Sequence, residues 1–502
     1  ALLTLYPLSR LGTEFMPPLD EGDLMYMPTT YPGVSIGEAR QILQQTDKLI
    51  ATVPEVETVF GKIGRAETAT DPAPLTMIET FIQLKPKDEW RQGVTTESLR
   101  HEFNQLVSFP GLSNAWVMPI KTRIDMLATG IKTPVGVKIA GPDLAEIEGI
   151  GKELERIIEN IPGTTSVYSE RVFGGRYIDI DINRIAAARH GLNIKDLQDV
   201  ISTAIGGVNV GMSVEGLERY PINVRYPQQY RDSVDRLERL PIVTPAGHRI
   251  ALGDVAALKI ADGPAAIKSE NARINGWTFV DIDGVDVGTY VQTAQRVVAE
   301  SLELPAGYSI NWSGQFEYIQ RAEERLQLLA PVTLMVIIFL LYAAFRSYQE
   351  VVIILMTLPL SAVGGVWLLY LLDYNLSVAV GVGFIALAGV AVEIGVIVLV
   401  YLNNALEDAK KSSQSPTGDA LVEAIVDGAA RRIRPVTMTV LATIFGLVPL
   451  MIGTGTGSEV MTRMAAPMVG GMVTAFVLTM LVLPAIYLLW KRSLEKGGRH
   501  EQ

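Results

Sequence analysis
The sequence predicts an α+β membrane protein in which a large soluble block of ferredoxin-like βαβ units precedes an α-helical transmembrane bundle. Hydrophobic residues make up 48% of the 502 and charged residues only 19%, too apolar a balance for an ordinary soluble enzyme of this length. The apolarity is concentrated after residue 326, in five stretches that approach the roughly 20 residues needed to cross about 30 Å of hydrocarbon as helix. Before them, amphipathic helical patterns alternate with strand-like runs, and one helix–proline–strand unit recurs.

The opening run ALLTLYPLSRLG is too short to span and lacks the basic start and cleavage site of a signal peptide. Residues 1–13 therefore read as the end of a transmembrane helix, and the sequence as a fragment of a longer chain. Residues 14–131 form the first unit, with a helix at Ile36–Val53 leading through Pro54 to a strand at Val56–Phe60. The second copy, 132–175 and 263–325, repeats the grammar: helix Leu144–Ile161, then Pro162 and Gly163, then strand Ser166–Tyr168, with later strands at Trp277–Ile282 and Ser309–Ser313. Residues 176–262 interrupt it. This insert opens on the alternating Tyr177–Ile182 and carries a further helix around Ile194–Ile205.

Residues 326–492 hold the spans Leu326–Phe345, Val351–Leu372, Leu376–Leu402, Val436–Ile452 and Ala465–Trp490, and 493–502 form a tail. Only Arg346 to Glu350 separate the first two, which requires a tight helical hairpin. Lys410, Lys411, Arg431, Arg432 and Arg434 make one loop basic, and Lys491, Arg492, Lys496 and Arg499 do the same for the tail. Short basic loops stay cytoplasmic, so these lie inside and the soluble block lies outside.

Composition excludes several functions. A formal charge of -11 with no basic stripe argues against a nucleic-acid partner. The absence of cysteine removes disulfides, thiolate zinc sites and thiol nucleophiles, leaving methionine as the one soft ligand type. No GxxxxGK[ST] loop is present, so an ion gradient rather than ATP supplies any energy. GTGTGSEV joins two spans and reads as a glycine turn. His101, His190 and His248 show no i,i+4 pairing, which gives no support for a zinc site of the usual histidine spacing.

Glu393 stands mid-helix in GVAVEIGVIVLV. A charged residue at a helix centre in lipid costs about 2.5–3.5 kcal/mol on insertion scales, so this carboxyl must be protonated, paired or hydrated. Gly381, Gly383, Gly389 and Gly395 on the same helix offer close approach to neighbours.

The motifs FMPPLDEGDL, FGKIGRAETATDPAPL, RIDMLATGIKTPVGVKI, GGRYIDIDINR, ERYPINVRYP, GFIALAGVAVEIG and GSEVMTRMAAPMVGG, taken in this order over essentially the whole chain, resemble the heavy-metal branch of resistance-nodulation-division efflux pumps. Within it the chain is similar to the C-terminal half of copper and silver exporters of the CusA/SilA type. The resemblance implies two porter subdomains, an inserted docking subdomain at 176–262, a homotrimer in the inner membrane, and a periplasmic adaptor and outer-membrane channel as partners. It implies a proton-driven secondary transporter for Cu(I) or Ag(I), not an enzyme, with no cofactor.

By the same resemblance Glu393 is the proton-relay carboxylate, although Val436 stands after Arg434 and Pro435 where the family commonly has Lys, so the relay's cation comes from elsewhere, either the missing half or Arg434. Met77 and Met126 match methionines of the periplasmic cleft. The third ligand is expected near Ser169–Gly175, which holds no methionine; Met118 and Met212 are the substitutes. Glu67, Asp71, Asp125, Arg171 and Arg176 would shape a polar cleft. Two other readings stay open: a non-transporting fragment that docks adaptor proteins, and efflux of divalent metals or drugs on the same fold.

Overall fold
The computed structural model describes all residues except 1, 18, 31–32, 65–76, 265, 413–418, 454, 456 and 498–502. The chain forms two units, one of Ala1–Glu170 with Glu270–Gln502 and one of Arg171–Ser269. In the larger unit, strand Leu24–Tyr26, helix Ile36–Ile50, strands Val56–Ile63 and Ile78–Leu84, helix Thr96–Leu106 and strand Trp116–Val117 follow in a βαββαβ order. Their sheet is antiparallel, running Val56–Ile63, Ile78–Leu84, Leu24–Tyr26, Trp116–Val117.

A second sheet has the same strand order: Thr164–Ser169, Arg273–Ile282, Val135–Ala140 and Ser309–Gly314, with helices Leu144–Glu159 and Val287–Ser301. The repeat is thus two ferredoxin-like sheets, as the recurring sequence grammar predicts.

Local chemistry fixes these elements. Ser35 accepts from the Glu38 backbone N–H, Thr95 and Ser98 form a reciprocal capping box, and Asp143 and Asp286 cap the second sheet's helices. In strand Ile78–Leu84 alternation sends Ile82 and Leu84 into a core with Leu24, Ile50, Leu99 and Phe103. Tyr26 and Phe103 both stack on Trp116 there, with ring centroids 4.2 and 5.3 Å away. Glu55, at the turn between Ile36–Ile50 and Val56–Ile63, receives a fork from Arg91: Nε at 2.6 Å and Nη2 at 2.8 Å. Its side chain is only 1% exposed, and the Arg91 hydrogen bonds hold its carboxyl below the usual glutamate range.

The smaller unit has its own core of Leu197, Leu237, Leu240, Ile242, Leu252, Val255 and Leu258. Strand Gly175–Ile182 pairs with Ala256–Gly263, and Val208–Glu215 with Glu218–Val224 in a hairpin whose residues are nearly all exposed. The helix expected around Ile194–Ile205 forms as α-helix Ile194–Ile201 and continues into a π-helical turn at Ser202–Gly206.

All five expected spans form helices, Gln315–Phe345, Tyr348–Leu371, Val378–Lys411, Asp419–Ile452 and Ser458–Ser493, with Leu372, Leu376 and Ser377 at the ends of the second and third expected spans lying outside them. The first, fourth and fifth begin well before their apolar runs, because polar turns continue the helix beyond the hydrophobic stretch. Arg346, in the left-handed region at φ 51°, closes the tight hairpin between the first two. At the turn GTGTGSEV, Gly457 has φ 80°, while Thr454 and Thr456 lie outside the described residues.

A Cβ at Gly364 would sit 2.1 Å from the Gly470 carbonyl oxygen, and the Gly364 N–H donates to Thr474 Oγ1 at 3.1 Å. Backbones therefore touch where a side chain cannot fit. Of the four glycines on the Glu393 helix, Gly383 packs against Met464 and Gly395 against Thr357. Gly381 and Gly389 face open space among the described residues, so they make no such contact here.

Because the folded Glu55 pKa is depressed, its contribution to stability is fully present above its unfolded pKa of about 4.3 and is lost as pH falls through the folded value. Glu55→Gln should lower the melting temperature at pH 7 and shrink its deficit relative to wild type on acidification below about pH 4. Thermal melts across that range check this; an equal deficit at every pH would leave packing, not charge, as the cause.

Candidate metal-binding face and intramembrane carboxylate
The register of the first sheet sets the geometry. Leu24 pairs with Ile82, Met25 with Phe81 and Tyr26 with Thr80, and the same antiparallel register carries on to an isolated bridge between Thr29 and Met77. Met27 therefore stands opposite Glu79, and Met77 is its diagonal neighbour on the same face, the one turned away from the Leu24, Tyr26 and Ile82 core. Such diagonals are roughly 7–8 Å apart and within reach of long side chains. Met27 is fully buried and Met77 half-buried.

Met126 lies on helix Pro119–Thr129, whose start is fixed twice. Pro119 takes the first helical position, and the Glu21 carboxylate accepts from the N–H groups of Ile120 and Lys121 at 2.7 Å each. Gly130 ends the helix at φ 81°, with the Trp277 ring seated where a Cβ would be. Arg123, one turn before Met126, reaches Glu79 Oε2 at 3.2 Å, and Lys62 reaches the same oxygen at 3.0 Å. Glu79 is 2% exposed. This carboxylate pins the Met126 helix across the strand that carries Met77. Just beyond the helix, the buried Lys132 donates to the Met27 carbonyl at 2.9 Å and to Thr29 Oγ1 at 2.5 Å.

The register thus brings a third methionine, Met27, to these elements. Its signal was present: in LMYMP the core-facing Leu24 and Tyr26 leave Met25 and Met27 on the other face of the strand. Of the two substitutes, Met118 packs against the first sheet's core, and Met212 is exposed on the hairpin of the smaller unit. Asp125 pairs with Lys121 at 2.7 Å, and Arg171 and Arg176 belong to the smaller unit. Glu67 and Asp71 lie outside the described residues.

Glu393 occupies helix Val378–Ser412. Ala391, Ile394 and Val398 are buried on one side of that helix, whereas Glu393 is exposed, in a stripe with Val382, Ile385 and Val400. Among the described residues it has no ion-pair partner, so Arg434 does not supply the cation in this arrangement. A polar chain that sequence reading missed lies elsewhere in the bundle: Tyr487 Oη donates to Asn403 Oδ1 at 2.5 Å and Asn403 Nδ2 to the largely buried Glu350 at 3.3 Å.

The pairing of two ferredoxin-like sheets with an apolar bundle agrees with comparison to known proteins, in which the family model described as AcrB/AcrD/AcrF matches residues 1–491. The chain belongs to the AcrB/AcrD/AcrF family. It is 51% identical over 495 residues to the putative cation efflux system protein SilA of Salmonella typhimurium, covering 98% of this chain and 47% of that protein. Identity to the cation efflux system protein CusA of Escherichia coli K12 is 50%, with 97% and 47% covered. The cobalt-zinc-cadmium resistance protein CzcA of Cupriavidus metallidurans is 35% identical, with 97% and 46% covered. A crystal structure of a heavy metal efflux pump superposes with a TM-score of 0.86 at 30% identity, covering 98% of this chain and 50% of that one. This AcrB/AcrD/AcrF family chain spans about half the length of the curated relatives it matches.

The register that joins Met27, Glu79 and Met77 has a direct test, because the chain has no native cysteine. Cysteines placed at Thr29 and Met77, facing residues of one bridge, should crosslink on mild oxidation and change electrophoretic mobility. Cysteines at Met27 and Met77 should crosslink much less; the reverse ranking would shift the register.

Proposed function
We propose that the chain is the C-terminal half of an inner-membrane heavy-metal efflux pump that carries Cu(I) or Ag(I) by proton antiport. The observation that carries the reading is the methionine face: Met27 and Met77 side by side on one ladder, with the Met126 helix pinned over it. Thioethers bind soft monovalent ions without having to lose a proton, and three of them make a site that hard cations do not favour. Glu79, Arg123 and Lys62 hold the frame; Met27, Met77 and Met126 supply the ligands.

In this reading a cargo ion enters between the two sheets, and release follows when the Met126 helix and the ladder separate. Glu393 supplies the coupling. A carboxyl in lipid is cheaper neutral than charged, so uptake of a proton from outside and its loss inside changes what the uncovered stripe of its helix can pack against. The assembly is a homotrimer that joins a periplasmic adaptor and an outer-membrane channel, and residues 14–325 face the periplasm.

Substitution of Met27, Met77 or Met126 by Ile keeps volume and apolarity at a packing cost of under about 1.5 kcal/mol and deletes one thioether. Each single variant of the whole pump should bind Ag(I) at least ~10-fold more weakly, with Zn(II) binding to the methionine face negligible before and after. Unchanged Ag(I) titrations in all three variants would return these residues to packing. Glu393→Gln should abolish metal resistance at matched membrane expression; full resistance in that variant removes Glu393 from the coupling. An impermeant amine label added to spheroplasts should reach Lys87, which labelling confined to inverted vesicles would contradict.

A further inference from the structure
A second set of metal-ligating groups lies on a different element, the helix Thr96–Leu106. Glu97 and His101, one turn apart on that helix, meet Asp283, which follows strand Arg273–Ile282 of the second sheet. One ligand atom of each lies within 4.8 Å of the other two. His101 Nε2 is 3.7 Å from Asp283 Oδ2, too far for a hydrogen bond. It is close to the roughly 3.3–3.6 Å that separates two ligands of a tetrahedral ion with bonds of about 2.0–2.2 Å.

All three side chains are exposed, and among the described residues none makes a hydrogen bond, so every ligand lone pair is available. The approach is fixed from both sides. Helical spacing sets Glu97 against His101, while the Asp283 N–H is tied to the Gly163 carbonyl at 3.0 Å.

Two carboxylates turned toward one imidazole form a set of acceptors that a cation between them would stabilise. The nearby protein cations are engaged elsewhere. Arg100 donates to the Trp116 carbonyl at 3.1 Å and acts with Lys132 on the buried Asp281, and Lys132 is bonded to Met27 and Thr29. One imidazole with two carboxylates suits a borderline divalent ion such as Zn2+, Co2+ or Ni2+; it does not suit Cu(I) or Ag(I), which favour sulfur.

We propose that Glu97, His101 and Asp283 form a divalent-cation site, separate from the methionine face, that clamps the first sheet's helix to the second sheet. The sequence conceals it because Asp283 is far along the chain and the histidine partner one turn away is a carboxylate rather than a second histidine.

The test uses the full chain in detergent, titrated with Zn2+ and followed by equilibrium dialysis, with Co2+ absorption as a report on geometry. Wild type should take up one equivalent with a tetrahedral Co2+ spectrum. His101→Gln and Asp283→Asn should each weaken uptake by more than the roughly 10–100-fold that loss of an outer-shell partner costs. Ag(I) binding should stay unchanged in both, which certifies their folding and separates this site from the methionine reading. With Zn2+ bound, amide exchange in Thr96–Leu106 should slow in wild type and not in His101→Gln. Wild-type Zn2+ uptake that survives both substitutions overturns the site, as does absence of uptake at micromolar Zn2+. Uptake without slower exchange overturns the clamp.

Discussion
The placement of the first sheet against the helix Pro119–Thr129 depends on one buried carboxylate. Glu79 sits on a strand flanked by two others and faces a helix, and its Oε2 is shared by Lys62 from the neighbouring strand and Arg123 from the helix. A carboxylate this far out of water is tolerable because two cations offset the desolvation. In exchange, strand and helix cannot slide independently. Met27 opposite Glu79, Met77 two residues before it and Met126 one turn after Arg123 take their mutual placement from that single group. The Glu21 cap and the Lys132 bonds to Met27 and Thr29 join the same helix to the segment around the neighbouring strand Leu24–Tyr26, so the frame is tied at both ends of the helix.

The bundle obeys a different constraint. In lipid no hydrophobic drive separates helix from solvent, and contact is decided by how closely backbones can approach. Gly364 against Gly470, and Gly383 against Met464, are where that approach is closest. The same helix that uses Gly383 on one side presents Glu393 on another, within a stripe the other described helices leave uncovered. Tight packing and the carboxylate therefore occupy separate faces of one helix.

The fold was legible because its signals are local or periodic. Span lengths follow from hydropathy, and the helix–proline–strand grammar of Ile36–Phe60 and Leu144–Tyr168 already implies duplicated βαβ units. The candidate site was half legible. Met77 and Met126 lie in recognisable motifs, but Met27 needs the register, and a register is a long-range pairing that sequence alone leaves unset. The expectation at Ser169–Gly175 places one ligand in each repeat, whereas the ladder sets two methionines, Met27 and Met77, side by side within the first. The pairing of His101 with Asp283 escaped for the same reason. Glycine spacing misled in the other direction: Gly381 and Gly389 have the right positions on the helix, but no described neighbour reaches them.

Trp277 adds an optical property to this architecture. Its ring fills the space above Gly130, at the end of the helix that carries Met126, while its backbone belongs to the second sheet. Any displacement of that helix relative to the second sheet uncovers or compresses an indole, whose emission depends on the wetness and polarity of its surroundings. The chain thus carries a native fluorophore at the joint between its two ferredoxin-like sheets, and with the other five tryptophans replaced by Phe, helix motion there is readable as a colour change without attaching a dye.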